Sequence, residues 1–257
     1  ENRFGIHIEP WGIYDIFMLD GFTYLLAFLI ILNMKYISFH KREFEHFSLT
    51  NRFKTGINFL RNNKTVFWYG ILSFAIFIVT IVEGFYLAAL YVSDYLHEDA
   101  VIYTIIEISY AFGAVMAGFF IRRIFKKLHP IISIIIIMLF VSAGFFIAGF
   151  TRSNGIFIAF NFILGLSNAG SRIIRVTYLF TLVPNQVIGR VNSLFASYQT
   201  LMRGLFIALF SLPFFMKGDN ITIAYYIFGG FLVVSLVLLA ILAIPLINKN
   251  KKNKKPE

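Results

Sequence analysis

VFWYGILSFAIFIVTIVEGFYLAALYV, residues Val66–Val92, decides the fold of this chain. It is an apolar run interrupted by one charge, Glu83. A bilayer core about 30 Å thick is crossed by roughly 20 helical residues, so this run spans it with length to spare. It is too long and too uniformly apolar for a barrel strand, which alternates over about 10 residues. Six further runs read the same way: Ile13–Met34, Ala100–Ile121, His129–Phe150, Ile156–Tyr178, Val191–Met216 and Ile221–Ile247. Composition agrees. Of 257 residues, 58% are hydrophobic and 14% charged, with a mean hydropathy of +0.76. A soluble domain runs nearer half apolar and a quarter charged, so a soluble enzyme is excluded. The 32 phenylalanines argue against disorder.

The chemistry of the chain is bounded by what it lacks. There is no cysteine, hence no disulfide, zinc–thiolate site, iron–sulfur cluster or thiol nucleophile. His40 and His46 share a segment without other ligands around them, which is a weak metal signal. No Ser–His–Asp set, phosphate-cradling glycine loop or metalloprotease motif occurs. The expectation is a protein that is not an enzyme and takes no metal or cofactor.

The net charge of +10 would point to nucleic acid in a soluble protein. Here it reports topology. The segments 35–64, 122–127, 172–190 and 249–255 hold nineteen Lys and Arg, whereas the alternate connections hold three, Arg3, Arg152 and Lys217. The two sets alternate across all seven spans, with Arg203 left inside a span. By the positive-inside rule the C-terminus is cytoplasmic and the N-terminus outside. The chain starts at Glu1 without a signal peptide, which reads as a piece of a longer protein. Its lean towards Lys, Asn, Ile, Phe and Tyr is typical of AT-rich bacterial genomes.

Polar side chains inside a membrane face the bundle interior or a watery cavity. Tyr69, Ser73, Thr80 and Glu83 share one face of the second span, and Tyr103, Glu107 and Tyr110 one face of the third. The fifth carries Asn161, Gly165, Asn168, Arg172 and Arg175, and the sixth Asn192, Ala196, Gln199 and Arg203. The fourth and seventh have almost none and read as lipid-facing along most of their length. Spans two to seven thus run polar, polar, greasy twice over, the order expected of a duplicated three-helix unit. Small residues at four-residue spacing, Ser109, Gly113 and Ala117 in the third span and Gly165 and Ala169 in the fifth, allow close helix approach.

At 1.5 Å per residue, Glu83 lies about 26 Å from the inner edge of its span, Glu107 about 10 Å from its outer edge and Arg203 about 18 Å from its inner edge. The three share a depth. A carboxylate in a partly desolvated cavity can take up and release a proton, as coupling transport to a proton gradient requires. The competing reading is a structural lock between Arg203 and Glu107 or Glu83. Candidate cavity residues are Glu83, Glu107, Arg203, Gln199, Asn168, Tyr103 and Tyr110. Within the loop 35–64, Phe53, Ile57 and Leu60 share a helical face flanked by Arg52, Lys54 and Arg61, an amphipathic helix suited to the inner membrane surface.

Three stretches resemble the major facilitator superfamily. Leu182-Val-Pro184-Asn-Gln-Val-Ile-Gly189-Arg190-Val-Asn-Ser-Leu is similar to the cytoplasmic connection between that family's tenth and eleventh helices, in its macrolide-efflux and siderophore-export branch. That branch often has a basic residue where this chain has Ile188. Tyr14-Asp-Ile-Phe-Met-Leu-Asp20-Gly-Phe-Thr-Tyr resembles the branch's sixth helix. Gly118-Phe-Phe-Ile-Arg122-Arg123-Ile-Phe125-Lys126-Lys127 looks like a degenerate copy of the Gly-x-x-x-Asp-Arg-x-Gly-Arg-Arg loop, with Arg122 in place of the Asp and Phe125 in place of the Gly.

The resemblance implies helices six to twelve of a permease, with spans two, three, five and six lining a cavity and the fourth and seventh peripheral. Gly118, Arg123, Lys127, Gly189 and Arg190 become gating-loop candidates, and Asp20 a structural intramembrane acid. The expected organisation is a leader (1–12), a sixth-helix-like span (13–37), an amphipathic interdomain loop (38–64), a six-helix bundle of two three-helix repeats (65–247) and a basic tail (248–257). The expected partners are membrane lipids, a small-molecule substrate, protons and a missing N-terminal six-helix half, with no nucleic acid. The implied activity is proton-coupled efflux, as a multidrug-resistance antiporter of a bacterial inner membrane. The alternatives are a non-transporting or lipid-handling membrane module, or the remnant of a truncated permease gene. Receptor topology also has seven spans, but the last span has no Lys for retinal, and the chain has neither a disulfide nor an Asn-Pro near its seventh span.

Overall fold

The structure is a computed structural model that describes residues 12–34 and 49–252. The histidine pair His40 and His46, and most of the leader and the first connection, lie outside the described residues. Every regular element among the described residues is helical, and seven helices are long and apolar enough to cross a membrane. The chain divides into two units, residues 1–46 and 47–257.

The first unit contains α1 (Ile13–Asn33). The Gly12 N–H donates to Asp15 Oδ2 at 2.9 Å, which satisfies one of the donors exposed at a helix start. Asp20 lies mid-helix, where its carbonyl accepts the Thr23 hydroxyl at 2.7 Å.

The second unit begins with the amphipathic α2 (Leu49–Asn62), followed by α3 (Lys64–Tyr95), α4 (Ala100–Phe125), α5 (Pro130–Phe150), α6 (Asn154–Leu182), α7 (Asn185–Phe210) and α8 (Ile221–Lys252). Sequence and caps explain several boundaries. Pro130 opens α5 behind His129, whose Nδ1 accepts the Ile131 N–H. Pro184 precedes α7, so that helix starts at Asn185, before the apolar run expected from Val191. It stops at Phe210, ahead of Pro213, and not at Met216. The apolar run dates the membrane part of a helix and misses its polar first turns. The final helix likewise carries on past Ile247 to Lys252, into the segment expected as a tail.

The contacts among the six bundle helices have a symmetry. Exchanging α3, α4, α5 for α6, α7, α8 turns the α4–α6 contact into α7–α3 and α3–α8 into α6–α5, while α5–α8 and α3–α6 map onto themselves. All of these pairs are in contact, as two copies of a three-helix unit require. The α4–α6 pair is the closest. A Cβ on Gly113 would sit 2.1 Å from the Phe162 carbonyl oxygen, and one on Gly165 2.0 Å from that of Tyr110. Ser109 Oγ donates across the same seam to the Ile158 carbonyl at 2.9 Å. The small-residue stripe therefore does what its spacing allows.

The fourth span, α5, has two faces: Leu139, Phe140, Ile147 and Phe150 are exposed, as expected of a lipid-facing helix, and the opposite face is covered. Ile134, Met138, Val141 and Phe145 are buried, and the helix packs on α8. Ser142 Oγ donates to the Gly229 carbonyl, and the Tyr226 hydroxyl to that of Gly149, both at 2.9 Å. An apolar side chain meets protein or lipid equally well, so polarity alone cannot separate the two.

At the end of the bundle opposite the basic connections, Arg152 pairs with Asp219 and lies 4.7 Å from the Tyr95 ring centre. Both groups hold the Arg152 guanidinium above its ordinary pKa, Tyr95 most of all. Nearby, Asn154 Nδ2 donates to Glu98 Oε1 at 2.6 Å.

Candidate transport site

The centre of the bundle is built on an irregularity in α3. The helix breaks between Ser73 and Ala75, then widens into π-helical turns at Glu83–Leu87 and Tyr91–Tyr95. The Glu83 carbonyl accepts from the N–H of Ala88, and that of Tyr91 from Leu96, each five residues on. Such turns inside α-helices often mark functional positions. The sequence signals neither one: no proline interrupts α3, and both turns lie in the quoted apolar run or at its edge.

Glu83 opens the first wide turn and is 1% exposed. The Tyr225 hydroxyl of α8 donates to its Oε1 at 3.4 Å, and the Asn161 side chain of α6 also bears on the carboxylate. Asn161 Nδ2 donates to the Phe157 carbonyl at 3.2 Å. On α4, the Tyr103 hydroxyl donates to the carbonyl of Gly84, the residue after Glu83, at 3.2 Å. Tyr103 also lies beside Glu107, which is exposed one turn further on and close enough to Glu83 for their charges to interact. The structure thus brings together Glu83, Glu107 and Tyr103. Tyr110 and Asn168 form a second pair, Asn168 Nδ2 donating to the Tyr110 hydroxyl at 2.7 Å while Asn168 Oδ1 has no hydrogen-bond partner.

Arg203 is elsewhere. Its Nε donates to the Gln199 carbonyl at 3.4 Å, its Nη2 to Thr200 Oγ1 at 3.2 Å, and its guanidinium lies 5.5 Å from the Phe77 ring centre. Arg152–Asp219 is the one ion pair among the described residues, so the lock between Arg203 and Glu107 or Glu83 is not formed. Arg203 reaches α3 at Phe77, whereas Tyr103 reaches it at Gly84. Depth counted from a span edge locates a backbone and not the reach of a long side chain, and the two contacts with α3 lie seven residues apart, about 10 Å along its axis.

The gating-loop candidates sit at the basic end. Gly118, Arg123, Lys127 and Gly189 are exposed, and Arg190 is half-buried against α2. A Cβ on Gly118 or Gly189 would meet no atom within 4 Å, so neither glycine serves a close approach here.

Arg175 is the residue that sequence reasoning undervalued. The sequence sets it both on the polar stripe of the fifth span and among the inner positive charges; it lies inside α6 and is 2% exposed. Its Nη1 donates to the Ser73 carbonyl at 2.9 Å, at the break in α3, and its guanidinium lies 3.9 Å from the Phe74 ring centre. Its Nε and the nearby Tyr69 hydroxyl are buried without a hydrogen-bond partner. Its place at the inner end of the α6 polar stripe was the available signal.

A family model described as Major Facilitator Superfamily matches residues 5–207. Comparison with curated proteins and with solved structures returned no match. The matched residues run from before α1 to within the last turn of α7, most of the chain, and include the wide turns of α3 and the glycine seam between α4 and α6. With seven membrane-spanning helices and a duplicated three-helix bundle, this chain belongs to the major facilitator superfamily of multi-pass membrane transporters.

Proposed function

We propose that this transporter exports a bulky amphipathic compound, of the macrolide or siderophore kind, in exchange for protons. The reading rests on Glu83, which is enclosed by protein, touched by Tyr225 and by no cation among the described residues. An ionised carboxylate held out of water without a counter-charge is costly. Its charge therefore depends on whether water reaches it. A conformational change that opens and closes the site to water from either side would tie protonation to transport. Glu107, exposed and close by, is the group that would pass the proton between Glu83 and water. Gln199, Asn168, Tyr110 and Arg203 would contact cargo rather than protons.

The mechanism is alternating access, in which two bundles rock about a site near the midplane. The bundle described here would form one wall, and an N-terminal six-helix half of the same protein the other. The charge distribution supports a cytoplasmic C-terminus, and the lean towards Lys, Asn, Ile, Phe and Tyr supports a bacterial inner membrane. The test is the complete gene product in proteoliposomes with an imposed pH gradient. Glu83→Gln and Glu107→Gln should each abolish gradient-driven efflux. If both leave it intact, the coupling assignment is wrong.

A further inference from the structure

A cavity of about 530 Å³ opens at the basic end of the bundle, where α2, α3 and α7 meet. Its third wall exists because α2 docks on the bundle: Gly56 is buried, and a Cβ there would lie 3.1 Å from Leu194. Arg61, in the last turn of α2, and Lys64, which opens α3, are exposed at its mouth, and neither is ion-paired among the described residues. Behind them the lining is apolar and aromatic: Leu60, Trp68, Ile71, Phe195 and Tyr198. No carboxylate lines it. From Lys64 to Ile71 the wall runs about 10 Å along the helix axis.

We propose that this cavity binds one anionic phospholipid from the leaflet on the basic side. The phosphate sits between Arg61 and Lys64, and an acyl chain follows the apolar wall past Trp68. Two cations at a mouth match a negative headgroup, and that depth of apolar wall matches a hydrocarbon chain. A small soluble anion has no use for the wall, and a neutral amphiphile has none for the cations. Trp and Tyr favour this membrane level because one end of the ring is apolar and the other polar. A second cavity at the same end, about 500 Å³, repeats the pattern with Arg122 and Lys126 beside Phe125, Ile173 and Ile174. The proposal rests on the membrane spans and charges alone and does not depend on proton-coupled export.

Among these 257 residues the tryptophans are Trp11 and Trp68, so Trp11→Phe, with every tryptophan outside them also changed to Phe, leaves a single reporter in the cavity wall. That variant is placed in phosphatidylcholine vesicles doped with brominated phosphatidylglycerol or, at equal mole fraction, brominated phosphatidylcholine. Two cations near an anionic surface predict half-maximal quenching of Trp68 at an about tenfold lower mole fraction of the brominated phosphatidylglycerol. Arg61→Gln with Lys64→Gln should remove that preference and leave quenching by brominated phosphatidylcholine unchanged, which also reports a folded cavity. Equal quenching by the two lipids overturns the proposal, as does a preference that survives the double substitution. Reversal of the preference by millimolar inorganic phosphate overturns it too, because the site would then hold a free anion.

Discussion

Tyr225 of α8 donates its hydroxyl to Glu83 Oε1 of α3 across 3.4 Å, inside the bundle, with both residues 1% exposed or less. The bond joins the first wide turn of α3 to the last helix. Tyr225→Phe keeps the ring, which also packs against Tyr91 and Phe145, and removes the donor. The expected loss is about 1 kcal/mol in unfolding of the purified protein in detergent, the net worth of one such bond. Glu83→Gln keeps an acceptor for Tyr225 and should fall within about 1 kcal/mol of the parent, while gradient-driven efflux falls to background. A Glu83→Gln protein that fails to fold would place the carboxylate in the architecture and take it out of the transport cycle.

The seam between α4 and α6 sets a sharper steric test. Gly113→Ala and Gly165→Ala each put a methyl about 2 Å from a backbone carbonyl oxygen, which cannot swing aside as a side chain can. Each should cost about 1–3 kcal/mol, the usual range for overpacking. Gly118→Ala and Gly189→Ala also lie in helices but meet open space, so they should be neutral or gain up to about 1 kcal/mol from helix propensity. Thermal unfolding of the four variants side by side decides it, and equal effects at all four would remove the close approach.

Much of this fold can be read from hydropathy because a bilayer leaves few choices. A long apolar run must be a helix, and Ser109, Gly113 and Gly165 at helical spacing already mark where two backbones meet. The packing of α5 on α8 was hidden because Ile134, Val141 and Phe145 suit lipid and protein alike. The wide turns at Glu83 and Tyr91 depend on which carbonyls neighbouring side chains engage, such as that of Gly84 by Tyr103, a relation between helices that local sequence does not carry. Within the candidate site, the polar stripes of α3, α4 and α6 pointed to residues that do meet. The depth of Arg203 in its own span did not show where along α3 its side chain lands, which is at Phe77, six residues before Glu83.

Orientation has its own test, made easy by the absence of cysteine from the chain. Lys217 and Lys127 are exposed at opposite ends of the bundle, in connections separated by three spans. The positive-inside argument predicts that Lys217→Cys reacts with a membrane-impermeant maleimide added to intact cells, and that Lys127→Cys reacts after permeabilisation alone. The reverse pattern would invert the topology and, with it, the direction of any proton coupling.

Arg175 closes the break in α3 from the side of α6, and the chemistry of its contacts predicts an ordered series of variants. The guanidinium donates to the Ser73 carbonyl and lies 3.9 Å from the Phe74 ring centre, close enough to gain from its π face. Arg175→Lys keeps the charge but loses the planar fork and one of the two contacts, so it should lose stability and not merely match the parent. Arg175→Met keeps most of the volume, removes a buried charge that no carboxylate offsets among the described residues, and leaves the Ser73 carbonyl without this donor. Those effects oppose each other, because desolvating a charge is costly and so is an unsatisfied buried carbonyl, by about 1–3 kcal/mol. Arg175→Ala adds a cavity to that loss and should be the least stable of the three, by about 2 kcal/mol or more relative to Arg175→Met. Unfolding midpoints in detergent give the order. If Arg175→Ala equals the parent, the guanidinium does not hold the break. If instead Arg175→Met equals or exceeds the parent in stability while transport is lost, the charge is retained for function at the expense of the fold.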